Sequence, residues 1–107
     1  MWLYGLPRRR GLPFYAVPTT AGTGSEATMA AVVSDEQRGV KISFIDPKLL
    51  PQAVALDPAL TLGLPPGVTA ATGMDALTHA VEAYVSGLAS PQTDDWAVAA
   101  TRLILAN

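Results

Sequence analysis

The sequence predicts an α+β chain, β-rich in its first half and helical in its second. Two observations carry this. Up to Asp57 the apolar residues recur in short runs with period two, whereas from Pro65 onward they recur with helical spacing. Between the two lies Pro58–Pro66, where prolines and Gly63 mark a linker.

Pro13–Val17 (PFYAV) is a short aromatic and β-branched run and predicts a strand. It leads into Pro18-Thr19-Thr20-Ala21-Gly22-Thr23-Gly24-Ser25-Glu26, dense in glycines and hydroxyls. A loop of this composition can bring backbone N–H and side-chain O–H groups close to a phosphate or ribose. It can equally be a connection whose glycines serve only its turns. The Gly-Lys-Ser/Thr of a P-loop is missing, which argues against nucleoside triphosphate binding.

Gly22, Gly24 and Ala27 satisfy the G-x-G-x-x-G/A dinucleotide pattern, with Asp46 near the position of its acidic residue. That pattern requires a helix from Glu26 to about Arg38. The segment instead holds Val32-Val33 and then the polar run Ser34–Gly39, followed by an alternating Val40–Ile45. A β-hairpin from about Thr28 to Ile45 is therefore predicted. Asp46–Pro51 reads as a turn and Ala53–Asp57 as a short buried strand stopped by Pro58.

Pro65 and Pro66 suit the first turn of a helix running into Thr72-Gly73, where a break is expected. A second helical stretch follows to about Ser86. Ser90 is then placed to cap a last helix with Pro91 at its first position and Asp94 and Asp95 near its N-terminal dipole. Trp96, Ala99, Ala100 and Leu103 are its expected apolar stripe.

The stretch Gly73–Tyr84 contains the single histidine of the chain, His79, with Asp75 four residues before it. At about 100° per residue, Asp75, His79, Glu82 and Ser86 share one stripe, and Leu77, Val81, Tyr84 and Leu88 the opposite one. A carboxylate and an imidazole one turn apart can point at one spot, and a borderline metal such as Fe²⁺ or Zn²⁺ accepts that mixture. A solvated amphipathic helix shows the same two stripes. A structural zinc site normally takes four protein ligands and a catalytic one three, so geometry alone favours the solvated face.

Half of the 107 residues are hydrophobic and only 15% are charged, an apolar composition for so short a soluble chain. Apolar faces that pack on further protein would account for it. The net charge of −2 gives no electrostatic footprint for nucleic acid, so no nucleic-acid partner is expected. No run approaches a membrane span, and Met1–Leu12 has its basic residues after its apolar stretch, the reverse of a secretory signal. Arg8-Arg9-Arg10 is read as a solvated cluster. With no cysteine there is no disulfide framework, and a cytoplasmic location is expected.

Taken together, PTTAGTGSEAT (Pro18–Thr28), Lys41, DPKLLP (Asp46–Pro51), ALDP (Ala55–Pro58), LPP (Leu64–Pro66) and TAATGMDALTHAVEAY (Thr69–Tyr84) resemble, in order and spacing, the iron-containing (group III) alcohol dehydrogenase family. The resemblance runs from Pro13 to Asn107 and overturns the solvated reading of the polar stripe. In that family an α/β domain binds NAD or NADP and an all-helical domain carries the metal. It implies that residues 13–64 end the dinucleotide-binding domain, that residues 65–107 begin the helical metal-binding domain, and that residues 1–12 have no counterpart. It further implies Asp75 and His79 as ligands of Fe²⁺ or Zn²⁺, Thr19 and Thr20 as dinucleotide contacts, and Lys41 near the cofactor, with no catalytic residue beyond the metal ligands.

The implied activity is hydride transfer between NAD(P) and a small alcohol, aldehyde or ketone, with a homo-oligomer for a complete chain. Family members are much longer. Their Gly-rich pyrophosphate turn and two further histidine ligands have no counterpart here, so the chain is expected to be a central fragment across the domain junction. Two rival expectations stand beside it: a non-catalytic remnant or interaction module, and a small Rossmann-like binder using Gly22, Gly24 and Asp46.

Overall fold

The computed structural model describes residues 12–107, so the Arg8–Arg10 cluster lies outside the described residues. The elements are β1 (Tyr15–Ala16), β2 (Ala30–Asp35), β3 (Val40–Ile45), β4 (Ala53–Val54), α1 (Pro66–Val85) and α2 (Pro91–Ala106), with 3₁₀ turns at Ser25–Ala27, Pro47–Leu49 and Pro58–Thr61. This is the α+β chain expected, β first and helical afterwards. Among the described residues, those up to Pro18 together with Gly24–Asp57 form one compact unit, and Thr19–Thr23 with Pro58–Asn107 form the other.

In the first unit β2 and β3 pair as an antiparallel hairpin, with Ala30 opposite Ile45 and Asp35 opposite Val40. The Asp35 carboxylate accepts from the Arg38 N–H at 3.1 Å and closes the turn as a side-chain mimic of a backbone bond. The hairpin lies where alternation predicts it. A helix over Ala27–Arg38 is absent, which removes the fold on which the Rossmann-like reading of Gly22, Gly24 and Asp46 depends.

β1 and β4 pair in parallel, Tyr15 with Ala53 and Ala16 with Val54. Backbone bonds from Gln52 N–H to the Phe14 carbonyl (2.9 Å) and from Ala55 N–H to the Ala16 carbonyl (3.0 Å) extend the pairing. The expected buried strand Ala53–Asp57 is thus shorter and exposed. A two-stranded ribbon shields neither of its own faces, so pairing does not bring burial. The turn at Asp46 behaves as its composition suggests: the Asp46 carboxylate accepts from Lys48 N–H at 2.9 Å, with Pro47 opening the turn.

In the second unit α1 starts at Pro66, where the missing proline N–H leaves no donor unsatisfied, and ends at Val85 with Ser86 as its C-cap. The expected break at Thr72-Gly73 does not occur. The Thr72 hydroxyl folds back on the carbonyls of Val68 (3.0 Å) and Thr69 (3.2 Å), consistent with an unbroken turn there. A helical glycine costs only about 1 kcal/mol relative to alanine, which a long packed helix absorbs. α2 opens on the expected cap: Ser90 Oγ accepts from Thr93 N–H (3.2 Å) while Thr93 Oγ1 accepts from Ser90 N–H (2.7 Å).

The helices meet through alanine. Among the described residues, Ala80 on α1 (7% exposed) and Ala97 on α2 (5%) are the buried hydrophobic ones, and Thr93, Asp94, Ala100, Thr101 and Ile104 continue the half-buried face of α2. The expected stripe is rotated from this one: Trp96 is 63% exposed and Leu103 is exposed as well. Of the stripe expected on α1, Leu77 is half-buried while Val81 and Tyr84 are exposed, and Leu88 lies beyond the helix, exposed as well. Small side chains allow two helix backbones to approach, whereas a Trp-lined seam would hold them apart.

Candidate metal and dinucleotide site

The unbroken α1 sets the geometry of the polar stripe. Asp75 and His79 are one turn apart, and Oδ2 of the carboxylate lies 3.7 Å from Nε2 of the imidazole. Both are accessible, the histidine side chain 60% and the aspartate 49% exposed. The separation is longer than a hydrogen bond. Two ligands at about 2.0–2.1 Å on a tetrahedral metal stand roughly 3.3–3.4 Å apart, so a small rotamer adjustment would let one cation take both atoms. A hard carboxylate oxygen and a borderline imidazole nitrogen suit Fe²⁺ or Zn²⁺. Among the described residues no third His, Cys, Asp or Glu joins them, so Glu82 does not extend the pair.

Thr19 and Thr20 lie in the bend Thr19–Gly22, which belongs to the same compact unit as α1. Thr19 is exposed and Thr20 half-buried. The bend approaches α1 at Gly22. A Cβ built there would collide with the Thr72 carbonyl oxygen and lie 2.7 Å from its carbon, and Gly22 has φ +136°. Thr72 is just under one turn ahead of Asp75. The hydroxyl loop and the Asp75–His79 face therefore share one helix as support. Lys41 is exposed on β3, opposite Ser34, and belongs to the other unit.

Gly22 is the residue that sequence reading misses. Its motif suggests turns, whereas its contact is with a helix some fifty positions later, which no local pattern encodes. A groove of about 300 Å³ between α1 and α2, lined by Ala80, Tyr84, Ala97 and Thr101 among others, contains none of the sequence-predicted site residues.

Two family profiles match in succession: "Iron-containing alcohol dehydrogenase" over residues 3–58 and "Fe-containing alcohol dehydrogenase family, C-terminal" over residues 69–107. The chain belongs to the iron-containing alcohol dehydrogenase family. The first match reaches into the N-terminal segment to which sequence reading assigns no counterpart, and the change of profile falls in the stretch that holds the linker.

The chain is 52% identical over 93 residues to an NAD-dependent methanol dehydrogenase of Bacillus methanolicus, covering 87% of this chain and 24% of that protein. Among solved structures, 1,3-propanediol oxidoreductase is similar with TM-score 0.83 and 50% identity, over 89% of this chain and 25% of the other. A sulfoacetaldehyde reductase from Bifidobacterium kashiwanohense, solved with NAD⁺, is similar with TM-score 0.88 and 39% identity, over 94% and 27%. The chain thus spans about a quarter of the length of the curated relatives it matches.

Proposed function

We propose that this chain supplies part of the active site of a metal-dependent alcohol dehydrogenase or aldehyde reductase that works with NAD or NADP on small alcohols and their carbonyl products. The observation that carries the proposal is the Asp75–His79 pair on α1 with the Thr19–Thr23 loop resting one turn ahead of it. When bound, Fe²⁺ or Zn²⁺ supplies Lewis acidity toward an alcohol or carbonyl oxygen and the nicotinamide carries the hydride.

The chain's own residues have simpler tasks. Asp75 contributes a negative charge and His79 a neutral nitrogen lone pair, and the rigid helix holds both toward one point. Thr19 and Thr20 offer hydroxyls that donate to phosphate or ribose oxygens. Lys41 offers a positive charge, and its place near the cofactor rests on the family resemblance alone.

The 107-residue chain by itself should bind metal weakly, since two protein ligands leave the remaining positions to water. It should also show no turnover, because orientation of reactants can account for about 7–11 kcal/mol of barrier lowering and nothing among the described residues fixes the whole dinucleotide. Titration of the chain with Zn²⁺ by calorimetry tests the pair: His79→Ala should weaken binding by about tenfold or more, the effect of losing one of two ligands worth at least 1.4 kcal/mol. Equal affinity in the variant would refute the metal reading. Metal-dependent alcohol oxidation by the isolated chain, abolished by His79→Ala, would refute its dependence on further protein. Flanking coding sequence offers a second check, with a Gly-rich βα turn expected upstream and two histidines downstream.

A further inference from the structure

We propose that Gly22 is a positioning residue that sets the distance between the Thr19–Thr20 hydroxyls and the Asp75–His79 pair by seating loop backbone directly on helix backbone. The functional weight of this distance rests on the reading of those four residues given above; the contact itself does not.

Three observations carry the inference. First, the atoms that a Gly22 Cβ would meet are the carbonyl oxygen and carbon of Thr72, with its Cβ 3.3 Å away. A backbone carbonyl inside a helix cannot swing aside as a long side chain can. Second, the Thr72 side chain is held by hydrogen bonds to the Val68 and Thr69 carbonyls, so the surface the loop rests on is fixed by α1 itself. Third, the next glycine along the chain, just past the loop, is a control. Gly24 also has positive φ (+61°), yet a Cβ there would meet nothing within 4 Å. Substitution at Gly24 therefore strains the backbone only, whereas substitution at Gly22 adds a collision with α1.

A methyl group needs about 3.5–4.0 Å from its carbon neighbours, so Gly22→Ala must lift the loop away from Thr72 and with it Thr19 and Thr20. The lift leaves Asp75 and His79 where α1 holds them. The substitution thus separates two halves of a site without altering any group that would touch cofactor or metal.

The absence of cysteine makes the distance measurable in the full chain. A nitroxide attached at His79→Cys marks the position of the metal pair, and its paramagnetic relaxation of the Thr19 and Thr20 methyl resonances reports the loop. Against the labelled parent, added Gly24→Ala should leave these rates unchanged, while added Gly22→Ala should reduce them by roughly half or more as the loop retreats to van der Waals distance.

Unchanged rates in Gly22→Ala would overturn the proposal. Amide exchange of α1 and α2 should remain protected in both variants; its loss in Gly22→Ala would make Gly22 a folding residue rather than a positioning one, which also overturns it. Because the label replaces the metal, the outcome is independent of whether Asp75 and His79 bind one. In unlabelled protein, Mn²⁺ broadening of Asp75 and His79 resonances tests that separately: its absence would refute the metal reading and leave the seat of the loop on α1 established or overturned by the nitroxide result.

Discussion

In the β2–β3 hairpin the widest pairing, Ala30 with Ile45, joins residues still close in the chain, and the turn between them is closed by Asp35 and Arg38 within itself. The helical unit is assembled differently. Its helices meet through one alanine from each, and its loop Thr19–Thr23 comes from before the hairpin. Backbone pairing keeps the hairpin in register although Val32, Val33 and Val40 remain exposed. The helix pair depends on how closely two backbones approach at a point that neither helix specifies alone. The first kind of order tolerates side-chain change; the second turns on a few atoms of volume.

The largest effect that separates the two should come from Ala80→Pro. Proline inside a helix removes a backbone bond and clashes with the preceding turn, at about 3 kcal/mol or more. Far-UV circular dichroism should lose most of its helical signal, while nuclear Overhauser contacts across Val33 and Ile42 persist. Loss of both together would show that the hairpin depends on the helices.

A smaller effect sharpens the account of the seam. Ala97→Leu adds volume at a buried seam position that also borders the groove, and should cost about 1–3 kcal/mol. Trp96→Ala, one position away on an exposed flank, should change stability by only about 0.5 kcal/mol. Urea unfolding midpoints compare the two, and the reverse order would mean that the helices meet through Trp96. Between these two falls Ser90→Ala, which removes the acceptor for Thr93 N–H and should cost about 1 kcal/mol in the same measurement.

What sequence reveals follows the same division. The hairpin is legible because alternation and turn residues lie within one window, and the Ser90-Pro91 start because capping is a contact over three residues. The nearness of Asp75 and His79 is legible for that reason too, since a four-residue spacing on a helix brings two side chains to one face. Trp96 and Leu103 mislead because hydrophobicity measures what a residue gains by burial, whereas a helix crossing selects for what fits. Gly73 misleads because helix propensity is a weak preference that tertiary packing overrides. The seat of Gly22 on Thr72 leaves no local trace at all, and the two-residue strands β1 and β4 are set by pairing across a long connection.

The contact between Gly22 and Thr72 also has a consequence in time. α1 and α2 are joined by a short connection and can form early, and the hairpin likewise closes over few residues. Bringing Gly22 to Thr72 closes about fifty residues of chain, an entropic cost of roughly 3–4 kcal/mol by the logarithmic scaling of loop closure. Long-range closures of this kind form late in folding and are the slow steps. The seat of the loop is then expected to lift before the helices open. A dinucleotide that requires the seated state binds with an apparent affinity reduced by the fraction of time the loop is lifted. On the proposed function, any contact that favours the seated loop would raise dinucleotide affinity without touching the dinucleotide.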